Sequence, residues 1–221
     1  MATALAASGW KVLLIDLDPQ GNASTGLGLS QGDRVNSSYD LLINDVDLSD
    51  CINQTRVPGL EIVPATVDLS GAEVELVEFE ERTHRLKKAL DAADTLNAMV
   101  AVESLMVPLQ CEFFALEGLS QLLQTVERIR ARFNRQLSVM GVVLTMYDRR
   151  NKLTEQVSDD VRACLGDVVF ETVIPRNVRL SEAPSHGLPA LIYDYRCSGS
   201  VAYIDLAREL ISRLPDRKVA A

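Results

Sequence analysis

Two carboxylates two residues apart at the end of an apolar run are the part of this chain best suited to chemistry. Val12-Leu13-Leu14-Ile15 runs straight into Asp16-Leu17-Asp18-Pro19-Gln20-Gly21-Asn22. A short continuous apolar run suits a parallel strand buried on both faces, and open α/β sheets bind ligands at the carboxyl ends of such strands. A carboxylate placed there can hold magnesium through water or orient the water that attacks a phosphoryl group. An Asp-Pro pair is also a common way to begin a turn, so the residues alone leave both readings open. The segment from Gly21 to Gly28 has two glycines at the spacing of a phosphate-cradling loop, but Leu27 stands where that loop needs a lysine. No Gly-Lys dipeptide occurs anywhere in the 221 residues.

Other polar groups fall where strand ends are expected. Gln110, Glu112 and Glu117 surround Phe113-Phe114 just past one such end. They form either a ligand-facing loop or a capped helix start whose phenylalanines fill core. Pro175-Arg176-Asn177-Val178-Arg179 follows another. Arg176, Arg179 and Arg196, with Arg149, Arg150 and Lys152, are either a local basic patch for phosphate backbones or solvated surface arginines. His84 lies in a charged helical stretch, and His186 shares a loop with Ser185 and Glu182. Closeness in sequence does not make a catalytic triad, which is defined by geometry.

Apolar runs alternate with amphipathic stretches, as in βαβ units of a parallel sheet covered by helices. Strands are expected at 11–16, 60–64, 104–109, 139–145, 168–174 and 190–193. Helices are expected at 3–7, 68–93, 95–102, 116–133, 153–165 and 201–214. Right-handed crossovers then give a three-layer α/β/α sandwich with a mostly parallel sheet. The length and a 47% hydrophobic content suit one domain with a substantial core. A net charge of −9 argues against a dispersed basic footprint, though not against a local one. Cys51, Cys111, Cys164 and Cys197 show no metal spacing and are expected to be reduced thiols. No stretch approaches a membrane span, and the residues after Pro215 make a poor anchor, so a cytoplasmic protein is expected. Two places break the alternation: the chain opens on a helix with no strand before it, and near 93–95 one helical pattern meets another with no turn signal.

Four motifs, read together, carry a resemblance. They are the Asp16–Asn22 run, Asp68-Leu69-Ser70-Gly71-Ala72-Glu73, Pro108-Leu109-Gln110-Cys111-Glu112-Phe113-Phe114-Ala115-Leu116-Glu117-Gly118-Leu119, and Ile174-Pro175-Arg176-Asn177-Val178-Arg179-Leu180-Ser181-Glu182-Ala183-Pro184-Ser185-His186-Gly187. With Leu144-Thr145-Met146-Tyr147-Asp148 they closely resemble the ParA/Soj partitioning ATPases of chromosomes or plasmids, P-loop NTPase relatives of MinD in the deviant-Walker group, along nearly the whole chain.

That resemblance implies an ATP-switched, nucleoid-associated homodimer that binds DNA non-specifically. A ParB-like partner would stimulate its ATP hydrolysis. It makes Asp16 and Asp18 the first-switch carboxylates, catalytic and magnesium-ordering, with ATP and Mg as the cofactors. It makes Glu112 a ribose or cross-dimer contact, Pro175 and Asn177 the contacts of the adenine, and Arg176, Arg179 and Arg196 contacts of DNA. It also implies a Lys-Gly-Gly-Val-Gly-Lys-Thr-Thr loop ahead of the first helix and an Ile-Asp-Cys-Pro-Pro-Ser strand after Ala93, neither of which occurs in these residues. The expectation is one ParA-like domain over 1–221, incomplete at its N-terminus and near 93–95, and deficient in ATP hydrolysis as it stands. The alternative is a non-enzymatic remnant that keeps DNA- or partner-binding surfaces.

Overall fold

A computed structural model describes residues 1–75, 86, 102–113 and 115–214. In chain order its elements are α1 (Ala2–Ala7), β1 (Val12–Ile15), α2 (Asn22–Gly26), α3 (Ser38–Ile43), α4 (Leu48–Cys51), β2 (Asn53–Gln54), β3 (Leu60–Val63) and α5 (Leu69–Glu75). There follow β4 (Ser104–Gln110), α6 (Ala115–Arg132), β5 (Ser138–Thr145), α7 (Lys152–Leu165), α8 (Val178–Glu182), α9 (Ala190–Tyr193) and α10 (Ser198–Arg213). Two compact units emerge: the first comprises Ala2–Val102 with Arg179–Tyr195, the second Glu103–Val178 with Arg196–Ala221. The class is α/β, with β1 parallel to β3, β4 parallel to β5, and only the two-residue β2 antiparallel.

In the first unit the sheet order is β1-β3-β2. The alternation of a strand sends Val12 and Leu14 to one face, against Ala6, Leu27, Leu29 and Ile62. Leu13 and Ile15 go to the other, against Leu41, Leu48, Cys51 and Val63. Apolar layers therefore cover both faces of β1, which is why the run is uninterrupted. The small helix α3 is started by a capping box: the Ser37 N–H donates to the Asp40 carboxylate at 2.8 Å, and the Tyr39 N–H donates to Ser37 Oγ at 3.2 Å. Burial pushes the Cys51 thiol up to about 11 and raises that of Cys111, so both stay protonated.

In the second unit, Val107, Leu109, Val142 and Leu144 of the paired strands pack with Leu119 of α6 and Val157 and Val161 of α7. Here the structure corrects two expected strands. Residues 168–174 do not form one: the segment pairs with β5 at the isolated bridge Val142–Val169, and just beyond it Pro175 bridges to Tyr147. Phe170 and Ile174 donate their N–H groups to Val142 and Leu144, both at 2.8 Å. Between them the chain bulges, because the N–H groups of Glu171 and Thr172 go to the Glu209 carboxylate instead, at 2.8 and 2.9 Å. Residues 190–193 are the helical turn α9, with Pro189 at its N-cap; an apolar run of four residues does not distinguish strand from helix. Most of the expected helix 68–93, nearly all of 95–102, and the break near 93–95 lie outside the described residues.

Candidate functional site

The carboxylates at the end of β1 do different jobs. Asp16 is buried, and its side chain is fully occupied: Ser24 donates to Oδ2 through its N–H at 2.9 Å and its hydroxyl at 2.7 Å, and the Asp18 N–H donates to Oδ1 at 3.2 Å. Ser24 Oγ in turn accepts the Ala65 N–H at 3.0 Å, tying the turn after β1 to the end of β3. Asp18 is exposed and accepts only the nearby Gln20 N–H, at 2.9 Å. Gly21 makes the turn with a left-handed backbone, φ 61°, and a side chain there would collide with the Arg34 guanidinium. Arg34, 8% exposed, closes the turn from behind, donating to Ala65 O at 2.8 Å, Thr25 Oγ1 at 2.8 Å and Leu29 O at 3.0 Å. The arrangement holds Asp16 as a brace and leaves Asp18 as the carboxylate with lone pairs facing water.

Of the two aspartates, Asp18 is the one exposed to solvent. Among the described residues no three His, Cys, Asp or Glu side chains gather to hold a metal by themselves.

The second unit offers an open cleft of about 900 Å³ beyond the carboxyl end of β5, lined in part by Tyr147, Asp148, Thr172, Pro175, Arg176 and Ser198. That volume is in the range of small-molecule sites. Met146, the chain neighbour of the lining residue Tyr147, has a left-handed backbone conformation, φ 53°, a strained geometry that concentrates at ligand sites. Pro175 is held by its bridge to Tyr147, and the Arg176 N–H donates to Tyr147 O at 3.1 Å. Asn177 turns its amide to Ser198 Oγ at 2.9 Å. Arg150 grips Asp148 through two guanidinium bonds at 3.1 and 3.2 Å, which with its own N–H hold that carboxyl below the usual range. Glu112 is exposed in the turn before α6, where the Ala115 N–H donates to its carbonyl at 3.0 Å.

The residues proposed from sequence therefore divide. Asp16, Asp18 and Arg179 belong to the first unit; Glu112, Pro175, Arg176, Asn177 and Arg196 belong to the second. Only Pro175 and Arg176 share the cleft, with Arg149 and Arg150 beside them and Asp148, Glu171 and Asp205 interleaved. Arg179 is engaged by Glu182 at 2.9 Å and Asp194 at 3.5 Å, and lies over the Tyr193 ring at 6.0 Å. Arg196 is exposed. Sequence reasoning missed Ser24, Arg34 and Glu209. Ser24 carried a signal, a hydroxyl two residues after a Gly-Asn turn; the other two had none, since charge on a helix or loop predicts solvent.

Comparison with known proteins decides the family. The family described as "AAA domain" matches over residues 1–95 and 92–139. The chromosome partitioning protein ParA of Caulobacter vibrioides (strain NA1000 / CB15N) is 52% identical over 240 aligned positions, covering 100% of this chain and 90% of the relative. The chain belongs to the ParA/Soj family of chromosome-partitioning ATPases. Sporulation initiation inhibitor protein Soj of Bacillus subtilis (strain 168) is 46% identical, with coverages of 95% and 90%. Among solved structures, cobyrinic acid a,c-diamide synthase from Mycobacterium smegmatis, with bound ADP and magnesium, superposes with a TM-score of 0.79 at 30% identity, covering 95% of this chain and 85% of that one. The family's fold is that of P-loop NTPase-like ATPases. No described helix is long and apolar enough to cross a membrane.

Proposed function

We propose that this chain works as a ParA-type partition protein, a nucleotide switch that takes ATP with magnesium, dimerises on it, rides non-specific DNA in the nucleoid and answers to a ParB-like partner. One observation carries the reading: an exposed carboxylate, Asp18, at the carboxyl end of a parallel strand, braced by a buried Asp16–Ser24–Ala65 relay. Bound magnesium would neutralise charge on the transferring phosphates. Asp18 would be the residue to hold such an ion through water or to orient an attacking water, and Asp16 keeps the turn that carries it in place. The cleft beside Pro175 has the size for a nucleoside base, with Asn177 positioned by Ser198 at its edge. Arg176, Arg149 and Arg196 are exposed cations suited to phosphate backbones, and Arg179 would reach one only on leaving Glu182 and Asp194.

The 221 residues contain no Gly-Lys pair, and electrostatic clamping of the phosphates supplies most of the rate in phosphoryl transfer. On their own they are therefore expected to hydrolyse ATP negligibly. This also favours a second reading for the isolated polypeptide: a DNA- or partner-binding protein without ATPase activity. The test is calorimetric titration of MgATP into the folded 221-residue chain, with DNA binding measured in parallel. Weak or undetectable nucleotide binding with salt-sensitive DNA binding fits the proposal. Micromolar MgATP binding with turnover that Asp18→Ala abolishes would show that the phosphate grip lies within these residues after all. Absence of DNA binding with and without ATP would overturn the partition role.

A further inference from the structure

Arg34 is 8% exposed, yet its guanidinium has no anion beside it. Every hydrogen bond it makes ends on a neutral oxygen: the carbonyls of Ala65 at 2.8 Å, Leu29 at 3.0 Å and Gly21 at 3.5 Å, and Thr25 Oγ1 at 2.8 Å. No carboxylate lies within ion-pair distance of it among the described residues. Its Nε–H donates to nothing, and Nε is the one buried side-chain polar atom without a partner among the described residues. A charge taken out of water without a counter-ion is costly, and an unsatisfied buried donor adds its own desolvation penalty. An orphaned donor in an otherwise satisfied interior is a mark of a bound water or ion.

The same side chain forms part of the wall of a cavity of about 180 Å³, shared with Pro19 and Gln20 of the turn after β1, Gln31, and Thr66 and Val67 beyond β3. All of these residues belong to the first unit. At ~30 Å³ per water, the space suits an ion the size of phosphate with a water or two. Sites for drug-sized ligands begin near ~300 Å³, so a whole nucleotide does not fit. The lining selects further. Gln20 and Gln31 are exposed, and neither side-chain amide is committed to a hydrogen bond among the described residues, which leaves their N–H groups for a ligand. Thr66 spends its hydroxyl hydrogen on Asp68, at 3.0 Å. No carboxylate side chain lines the cavity among the described residues. Unpaired positive charge with surplus N–H donors is the complement of an oxyanion, the ion that a guanidinium matches best. We propose that this cavity binds free inorganic phosphate or an oxyanion of its size, held by the Arg34 charge, with one oxygen accepting the Nε–H and others meeting the amides of Gln20 and Gln31. Occupied, the site ties Gln20 to Arg34 through the ion and stiffens the turn that carries Asp18.

The experiment is titration of sodium phosphate into the nucleotide-free 221-residue chain at constant ionic strength, following the Arg34 Nε–H resonance and the thermal midpoint. The expected result is a saturable shift of that resonance, half complete at or below about 1 mM, with a midpoint that rises over the same concentrations. Gln31→Glu sets a carboxylate at an exposed position of the wall, so it should leave the fold intact and weaken binding about tenfold. Arg34→Lys keeps the charge, removes the Nε–H and should abolish saturation; if that variant does not fold, Gln31→Glu carries the test. Magnesium ADP at the same concentrations should leave the resonance in place. A shift with magnesium ADP and none with phosphate would overturn the proposal, because the ligand would then be the phosphate of a nucleotide. So would a resonance unmoved by phosphate up to about 50 mM, far above the affinity expected, or a shift that sodium chloride reproduces or Gln31→Glu leaves unchanged. Since the phosphate titration contains neither nucleotide nor DNA, its failure would leave the partition reading standing.

Discussion

The two sheets of this chain solve the same problem differently. In the second unit, β4 carries Pro108 at mid-strand. The bond from Cys111 N–H to Thr145 O, at 3.4 Å, fixes the alternation so that Leu109 and Val107 face β5 while the ring of Pro108 fills the outward position. That edge has lost a donor and gained bulk, a standard block to strand addition. On the other side, β5 is closed by the bulged segment around Phe170. In the first unit, the outer strand β2 is two polar residues long, which is also protective. The β1 edge has no such device. The difference is one of composition: β4 carries a proline at mid-strand, whereas β1 is an unbroken apolar run.

Removing the closure on β5 should have the largest effect. Phe170 is fully buried, its ring lies where Gly141 has no side chain, and the Arg213 guanidinium sits 4.1 Å from its centroid. Phe170→Ala should cost about 4 kcal/mol, read as a fall in the denaturation midpoint. Gly141→Ala should destabilise by the opposite fault, overpacking, by about 2 kcal/mol. At the carboxyl end of β1, Asp16→Ala strands the Ser24 and Asp18 donors and should cost about 3 kcal/mol. Asp18→Ala should change stability by less than about 0.5 kcal/mol. Equal losses from the two aspartates would refute the division into brace and reactive group. Smaller still in stability, Pro108→Val should alter the melting point little, yet it gives β4 an outward N–H. Self-association that appears only in this variant would sharpen the contrast between the edges, and none would show that the proline is not what guards β4.

Much of this was legible in the sequence where a short pattern has one structural solution. The run 12–15 followed by two aspartates reads as a parallel strand with a polar carboxyl end, which it is, though its side chains are half-buried rather than buried, and the apolar spacing of 116–133 and 153–165 predicts helices close to α6 and α7. The failures share a cause. Residues 168–174 have the composition of a strand, and they depart from one because Glu209, 38 and 37 positions beyond Glu171 and Thr172, competes with β5 for two N–H groups. Pro189 turned 190–193 into a helix start. The aspartates looked equivalent because their difference lies in Ser24 and Ala65, partners that only the folded turn brings near. The arginines look alike in sequence, yet Arg179 is engaged by Glu182 and Asp194, partners the sequence does not announce.

The Glu209 clamp makes the closure of β5 sensitive to acid, whereas the backbone pairing of β1 with β3 has no titrating group in it. Burial pulls the Glu209 carboxyl upward, but the N–H groups of Thr172 and Glu171 and the Arg213 guanidinium, 2.8 Å away, bring it below its ordinary value of 4.5. A carboxyl whose folded pKa is depressed stabilises the protein fully above its unfolded pKa and loses that contribution as pH falls through the folded one. The second unit should therefore weaken below about pH 4.5, with the Glu171 and Thr172 amides exchanging faster as Glu209 takes up its proton. Glu209→Gln keeps one acceptor oxygen and removes the titration, so it should be less stable at neutral pH and lose less on acidification. If wild type and variant decline in parallel from pH 6 to pH 3, the bulge is held by packing on Phe170 rather than by the carboxylate, and the edge of β5 is closed by shape instead of charge.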